Sequence, residues 1–271
     1  MMTPRDERQR RQVDELVDQS ALEEFLSFHG HVEFAPVVVV IAAYHERDNI
    51  GAVVESIPKT LCGLDVSVLV VVDGEDDGAS AIVRKLGAFA LICPVNRGQG
   101  AALRIGYRTA LSGGAQYIVT ADADGQSDPD DLAHVLQPVV DGEADFVSGS
   151  RTLGATESTD TVRNVGIRFF SVVISRLTGT AVSDTANPIR AMRADLPARL
   201  TLDEPQYQSS ELLIGALFRG ARYTERPVTM RARASGHSKK GHNLVYGYRF
   251  SRVVFRTWWR ERRLRRSPRA T

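Results

Sequence analysis

Tyr117-Ile-Val-Thr-Ala-Asp-Ala-Asp-Gly-Gln-Ser-Asp-Pro-Asp-Asp131 carries a strand, an acidic turn and a helix start in one short passage. The run Tyr117–Thr120 is brief, apolar and branched, the pattern of a buried strand. Five aspartates then fall between Thr120 and Asp131. Carboxylates so close together repel unless a proton, a salt bridge or a divalent cation relieves them. The last three have a local explanation. Asp128 before Pro129 reads as an N-cap with proline at the first helical position, and Asp130 and Asp131 favour the first turn through the helix dipole. Asp122 and Asp124 are left over, on a turn at the carboxyl end of a strand.

The same strand–turn–helix passage recurs on either side. Val37–Ile41 predicts a buried parallel strand, Asn49–Thr60 a helix, Val66–Val72 a strand and Gly78–Leu86 a helix. Ala88–Ile92, Gly98–Ser112 and Gln116–Thr120 continue the alternation, followed by a helix over Asp128–Val140 and a strand over Asp145–Ser148. This rhythm predicts an α/β architecture with a mostly parallel sheet and helices on both faces. After Arg151 the rhythm loosens: helices are predicted over Arg163–Leu177, Gln208–Phe218 and Gly247–Arg266, and an extended segment over Tyr223–Ala232. Residues 1–35 read as an amphipathic helical extension outside the main fold, 36–240 as the principal domain and 241–271 as a basic aromatic tail.

At 271 residues and 43% hydrophobic, the chain buries a full core. No apolar stretch reaches the ~20 residues of a membrane-spanning helix, and the charged start is unlike a secretory signal. Cys62 and Cys93 are too few for a disulfide framework or metal cluster, which fits a reducing cytoplasm. The net charge of +1 hides a division: from Arg219 onward there are 16 Lys/Arg against two Glu. An acidic body with a basic end suits an anionic partner. Trp258-Trp259 among arginines favours a membrane surface over nucleic acid. A homodimer is a further expectation, with the part played by residues 1–34 left open.

Ligands of parallel sheets gather beyond the strands' carboxyl ends. Glu46, Asp73 and the Asp122/Asp124 pair fall there. Each has a plain alternative as a cap or turn residue, but Asp-x-Asp on a short turn also offers hard oxygen ligands to Mg²⁺ or Mn²⁺. Around these residues the chain resembles family 2 glycosyltransferases of GT-A fold, most closely the polyprenyl-phosphate (dolichol-phosphate) mannosyl- and glucosyltransferase branch. The resemblance rests on Ala42-Ala-Tyr-His-Glu46, Val72-Asp-Gly-Glu-Asp-Asp-Gly78, Asn96-Arg-Gly-Gln-Gly-Ala-Ala-Leu103, Asp122-Ala-Asp-Gly-Gln126 and Gly149-Ser-Arg151. Asp184-Thr-Ala-Asn-Pro-Ile-Arg190 and Arg233-Ala-Ser-Gly-His-Ser-Lys239 complete it, in the family's order. Ala42, His45, Ser127 and Pro188-Ile189 depart from the commoner residues of those motifs.

The resemblance implies a metal-dependent inverting transfer of a hexose from a nucleotide sugar, GDP-mannose or a UDP-sugar, to a polyprenyl phosphate. It implies nucleotide contacts from Ala42, Tyr44, Glu46, Asp73, Gly100 and Asp122, and Mg²⁺ or Mn²⁺ held by Asp122, Asp124 and Gln126. Arg151, Arg163, Arg233, Ser238 and Lys239 would grip the acceptor phosphate, and Asp122, Asp124, Asp184 and Arg151 would make up the reaction centre. The alternative is a hydroxyl acceptor on a small metabolite, which needs a carboxylate base; Asp184 and Glu211 are the candidates. A regulatory nucleotide-binding protein without catalysis is the non-enzymatic reading.

Overall fold

The computed structural model describes residues 4–156, 161–231 and 243–266. The first helix, α1 (Pro4–His29), leads to the strand β1 (Val37–Ala43). Then come α2 (Arg47–Ser56), the short β2 (Thr60–Leu61), β3 (Leu64–Asp73), α3 (Ala79–Lys85), β4 (Phe89–Cys93) and α4 (Gln99–Ser112). The alternation continues through β5 (Tyr117–Asp122), α5 (Asp130–Val140), β6 (Phe146–Thr156) and α6 (Thr161–Thr178). The strand β7 (Arg190–Arg193), the helix α7 (Gln208–Phe218), β8 (Tyr223–Met230) and α8 (Asn243–Arg266) complete the described chain.

One sheet runs β2-β3-β1-β5-β7-β6-β8, with β4 paired to β3. The pairs β1–β3, β1–β5, β3–β4 and β6–β8 are parallel, while β7 runs antiparallel between β5 and β6. Side chains of β1 alternate between two cores, as the two-residue period of a strand requires. Val38 and Val40 join α1, α4, α7 and α8 on one face. Val37, Val39 and Ile41 join α2, α3 and α5 on the other. With both faces covered, each residue of the strand can be apolar, which is why Val37–Ile41 is an unbroken branched run.

Several predicted boundaries shift for local reasons. The helix expected to reach Thr60 stops at Ser56, because Ile57 precedes Pro58 and takes an extended backbone (φ −69°, ψ 123°). β6 continues beyond Ser148 to Thr156 because it pairs with β8 on both sides of an irregularity between Ser150 and Ala155. Pro227, opposite Ser150, has no N–H to continue the ladder. α5 begins at Asp130, one position later than the proline cue suggests, although Asp128 still accepts the Asp130 N–H at 3.2 Å.

Two segments differ more. α1, expected outside the main fold, buries Val17, Ala21 and Phe25 in the same core as β1 and α4. The basic end, expected as a helix, also packs inward. α8 buries Phe250, Val253 and Val254 in that core, so these three residues face protein.

Candidate active site

The carboxyl ends of β1, β3 and β5 lie side by side, with Ala42 opposite Asp122 and Ala43 opposite Val72 in the parallel register. The turns that follow each strand therefore meet at one edge. In the first, Tyr44 is 41% exposed and its ring centroid lies 4.2 Å from that of His45. His45 itself is held at φ 51°, a left-handed conformation that costs a non-glycine residue about 1 kcal/mol or more. Glu46 starts α2: its carboxylate accepts from Asn49 Nδ2 at 2.8 Å and its carbonyl from the Asn49 and Ile50 amides. Arg47 donates its amide to Asp77 at 3.2 Å, joining this turn to the next.

Asp73 closes β3 and is only 2% exposed. Its two oxygens accept the Arg97 amide at 3.0 Å and the Gly98 amide at 2.7 Å. Burial pushes its pKa up, and these two amides offset only part of that rise. Asp73 thus fastens the loop before α4. The motif glycines serve a neighbouring contact. Gly100 donates its N–H to Pro205 O at 2.8 Å, and a Cβ there would lie 2.2 Å from Glu204 O. The Gly100 amide is committed to the 204–205 loop, which comes too close for any side chain. Gly98, at φ 97°, admits the same loop.

The acidic turn after β5 divides its labour. Asp122 accepts from Gln99 Nε2 at 3.2 Å, and Asp124, 7% exposed, accepts the Gln126 amide at 3.2 Å. Gln126 is stitched to the end of β8: its carbonyl accepts the Arg231 amide at 2.9 Å and its side chain donates to Arg231 O at 3.2 Å. Asp128 pairs with Arg231 at 2.5 Å, and Asp131 accepts the Thr229 amide at 2.6 Å. The opening aspartates are thus relieved partly by β8. Among the described residues no three His, Cys, Asp or Glu side chains cluster as a complete metal cage. Two carboxylates on one turn fit a hard cation that keeps waters and substrate phosphates as its remaining ligands.

Across the sheet Arg151 and Asp184 form a buried two-pronged pair, with Nε–Oδ2 2.7 Å and NH2–Oδ1 2.8 Å. Asp184 also accepts the amides of Arg151 and Ala186, and Glu225 secures the Ser183 and Asp184 amides. Burial raises the Asp184 pKa, but the bonds and charge of Arg151 outweigh it and leave the carboxyl below its ordinary value. With each oxygen already accepting two N–H groups, Asp184 is badly placed to take a proton from a substrate. Glu211 is likewise engaged. It is fully buried, accepts the Asp203 and Glu204 amides, and pairs with Arg260 of α8 at 2.8 Å. Burial lifts its pKa, and those partners offset only part of the rise.

Arg151 and Asp184 line a pocket of about 90 Å³ with Thr152, Thr156, Ile167 and Arg168. Arg168 escaped the sequence reading, because one arginine in an amphipathic helix carries no signal until the fold brings Arg151 to it. Arg190 escaped too. It is buried in β7, its Nε has no hydrogen-bond partner among the described residues, and Asp184 and Asp122 both act on its charge. Arg163 lies in α6, but its side chain is outside what the structure describes, as are Arg233, Ser238 and Lys239. A larger cavity of about 260 Å³, between α4 and residues 197–203, is lined by none of the predicted site residues.

Residues 38–198 match the model of glycosyl transferase family 2. A dolichyl-phosphate hexose transferase of Haloferax volcanii is 32% identical over 201 residues, covering 74% of this chain and 85% of its own. A polyprenol monophosphomannose synthase of Mycolicibacterium smegmatis is 31% identical over 223 residues, covering 76% and 82%. Glucosyl-3-phosphoglycerate synthase of Mycobacterium tuberculosis, crystallised with Mn²⁺, UDP and glucosyl-3-phosphoglycerate, superposes with a TM-score of 0.65 at 21% identity. That superposition covers 84% of this chain and 80% of the other, and it identifies the sheet as the expected GT-A fold.

Proposed function

Because the chain belongs to glycosyl transferase family 2, and is a hexosyltransferase, we propose that it moves a hexose from a nucleotide sugar to a polyprenyl phosphate. The observation that carries the acceptor reading is the company kept by the Arg151–Arg168 pocket. Arg168 shares one face of α6 with Val165, Phe169 and Val172, all exposed and spaced three or four residues apart. A cationic pocket beside an apolar stripe suits a ligand with a phosphate head and a hydrocarbon tail. The relatives named above, a dolichyl-phosphate hexose transferase and a polyprenol monophosphomannose synthase, support the same acceptor class.

In this reading an ionised phosphate oxygen attacks the anomeric carbon from the side opposite the nucleoside diphosphate. The new carbon–oxygen bond forms as the bond to the diphosphate breaks, and the configuration inverts. Asp122, Asp124 and Gln126 are the residues that would hold a divalent cation, which when bound supplies Lewis-acid stabilisation of the departing diphosphate. Arg168 and the donors of Arg151 not used by Asp184 orient the acceptor phosphate. A phosphate needs no general base, and the full engagement of Asp184 and Glu211 weighs against a hydroxyl acceptor.

No helix among the described residues is long and apolar enough to cross a membrane. We assign the enzyme's approach to lipid to a peripheral face instead. Phe169 of α6 is 60% exposed and Trp259 of α8 52%, with Tyr248, Phe255 and Leu264 also exposed on α8. Arg249, Arg252, Arg262 and Arg263 are exposed among them, the composition of an interfacial helix on anionic lipid.

The test is a mass-spectrometric transfer assay with a panel of GDP- and UDP-sugars, Mn²⁺ or Mg²⁺, and a short polyprenyl phosphate. A glycosyl phosphoprenol is the expected product. Donor turnover that yields a glycoside only with hydroxyl acceptors overturns the lipid-phosphate reading.

A further inference from the structure

We propose that α1 is a latch for the donor site, with Asp18 and Arg97 as positioning residues that set nucleotide affinity without touching the reacting atoms. The inference rests on the reading that the nucleotide lies over the turns after β1, β3 and β5.

The connection runs through Arg97, the residue between the asparagine and the first glycine of the Asn96–Leu103 motif. Its backbone amide donates to Asp73 at 3.0 Å. Its side chain points the other way, into α1. There NH1 donates to Asp14 O at 2.9 Å and to Asp14 Oδ1 at 3.3 Å, and NH2 donates to Asp18 Oδ1 at 2.6 Å. Both partners are almost fully enclosed, with side chains 7% exposed for Arg97 and 8% for Asp18. A second oxygen of Asp18 accepts from Arg108 of α4 at 3.1 Å. Asp14 faces Arg104 of the same helix at 3.7 Å.

One residue therefore carries two ties in opposite directions: main chain to the donor-side carboxylate, side chain to α1. The neighbouring Gly98 amide, on the same Asp73, depends on the same placement. Ordinary packing already secures α1, through Val17, Ala21 and Phe25. A helix needing only attachment has no use for a buried charge pair, which replacement by apolar residues commonly matches in stability. What the charged pair adds is direction. A guanidinium fork fixes both the angle and the depth of the chain that carries it, and here that chain is the loop facing the nucleotide.

The experiment is calorimetric titration of the full chain with UDP and with GDP in Mn²⁺, alongside steady-state transfer kinetics. Asp18→Asn keeps the side chain's shape and is expected to weaken nucleotide binding and raise the donor KM about tenfold, with kcat changed less than about twofold. In an Arg97→Ala background the same change should add no further loss. Glu24→Gln, which weakens the part-buried ion pair of α1 with Arg84, should leave nucleotide affinity unaltered. Where Asp18→Asn does not fold, Arg108→Ala removes only the exposed partner of Asp18 and should shift affinity the same way by a smaller factor.

An unchanged Kd in folded Asp18→Asn, or in Arg108→Ala where that variant stands in for it, overturns the latch alone. An equal loss in Glu24→Gln also overturns it, because the effect would then be general loosening of the helix. Wild-type protein that binds neither nucleotide overturns the nucleotide reading, and the latch with it.

Discussion

Asp122 and Asp184 are both aspartates beside strands of one sheet, yet the chain handles them in opposite ways. Asp122 ends β5 half-buried, accepting from a glutamine side chain at 3.2 Å and acting on the charge of Arg190. Asp184 is 1% exposed and gripped by an arginine on two sides. In the proposed reading Asp122 is the strand-end aspartate of the donor edge most open to an outside cation, while Asp73 of the same edge is buried and fastens a loop. The acceptor side spends its carboxylates, Asp184 and Glu211 alike, on holding arginines and loops in place. Acidity in a groove therefore says little about chemistry until each oxygen's partners are counted.

The largest effect expected from this contrast is on stability. Asp184→Asn leaves Arg151 buried without its counter-charge and should cost about 3–5 kcal/mol in a denaturant melt. Its pH signature has a definite sign. The folded-state pKa is depressed, so the pair's contribution is complete above the ordinary carboxylate range near ~4. It is lost as the pH falls through the lower folded value. Melting curves below pH 4 should therefore bring wild type towards the variant; a constant gap throughout would break the comparison.

Next comes Asp124→Ala, expected to leave the fold intact and lower transfer about 10³-fold, as a loss of ~4 kcal/mol of transition-state stabilisation implies. Full activity of this variant in metal-free buffer would remove the metal from the reading. Gly100→Ala sharpens the boundary between the halves. Its Cβ meets Glu204 O, so a stability loss of about 1–3 kcal/mol is expected in the same melt. Smallest is Phe169→Asp, expected to weaken sedimentation with phosphatidylglycerol vesicles about tenfold while leaving nucleotide affinity unchanged. Unaltered vesicle binding would take the apolar stripe of α6 out of the acceptor reading.

The carboxyl-end edge of β1, β3 and β5 was legible because its signals are local. Branched runs mark β1 and β3, and Asp73, Asp122 and Asp124 follow their strands by sequence alone. The acceptor side was not, because its decisive pairs span long distances along the chain: Arg151 with Asp184, Glu211 with Arg260. Before folding, a lone carboxylate looks like a base whether or not an arginine will claim it. The packing of α1 failed for a related reason. Val17, Ala21 and Phe25 announce an apolar face, but no periodicity says what will cover it. The glycines of the Asn96–Leu103 motif were visible as an unusual backbone, while the carbonyl that required Gly100 lies in the 204–205 loop.

The suture between Gln126 and Arg231 has a consequence for how the protein is made. The acidic turn is synthesised early, but its hydrogen bonds to Arg231, and the pairing of Asp128 with the same residue, need the end of β8. A nascent chain that has emerged only through the family-matched region, residues 38–198, possesses every donor-side aspartate and none of these ties. On the ribosome, the ties that hold the acidic turn form late, with the strand that closes the far edge of the sheet.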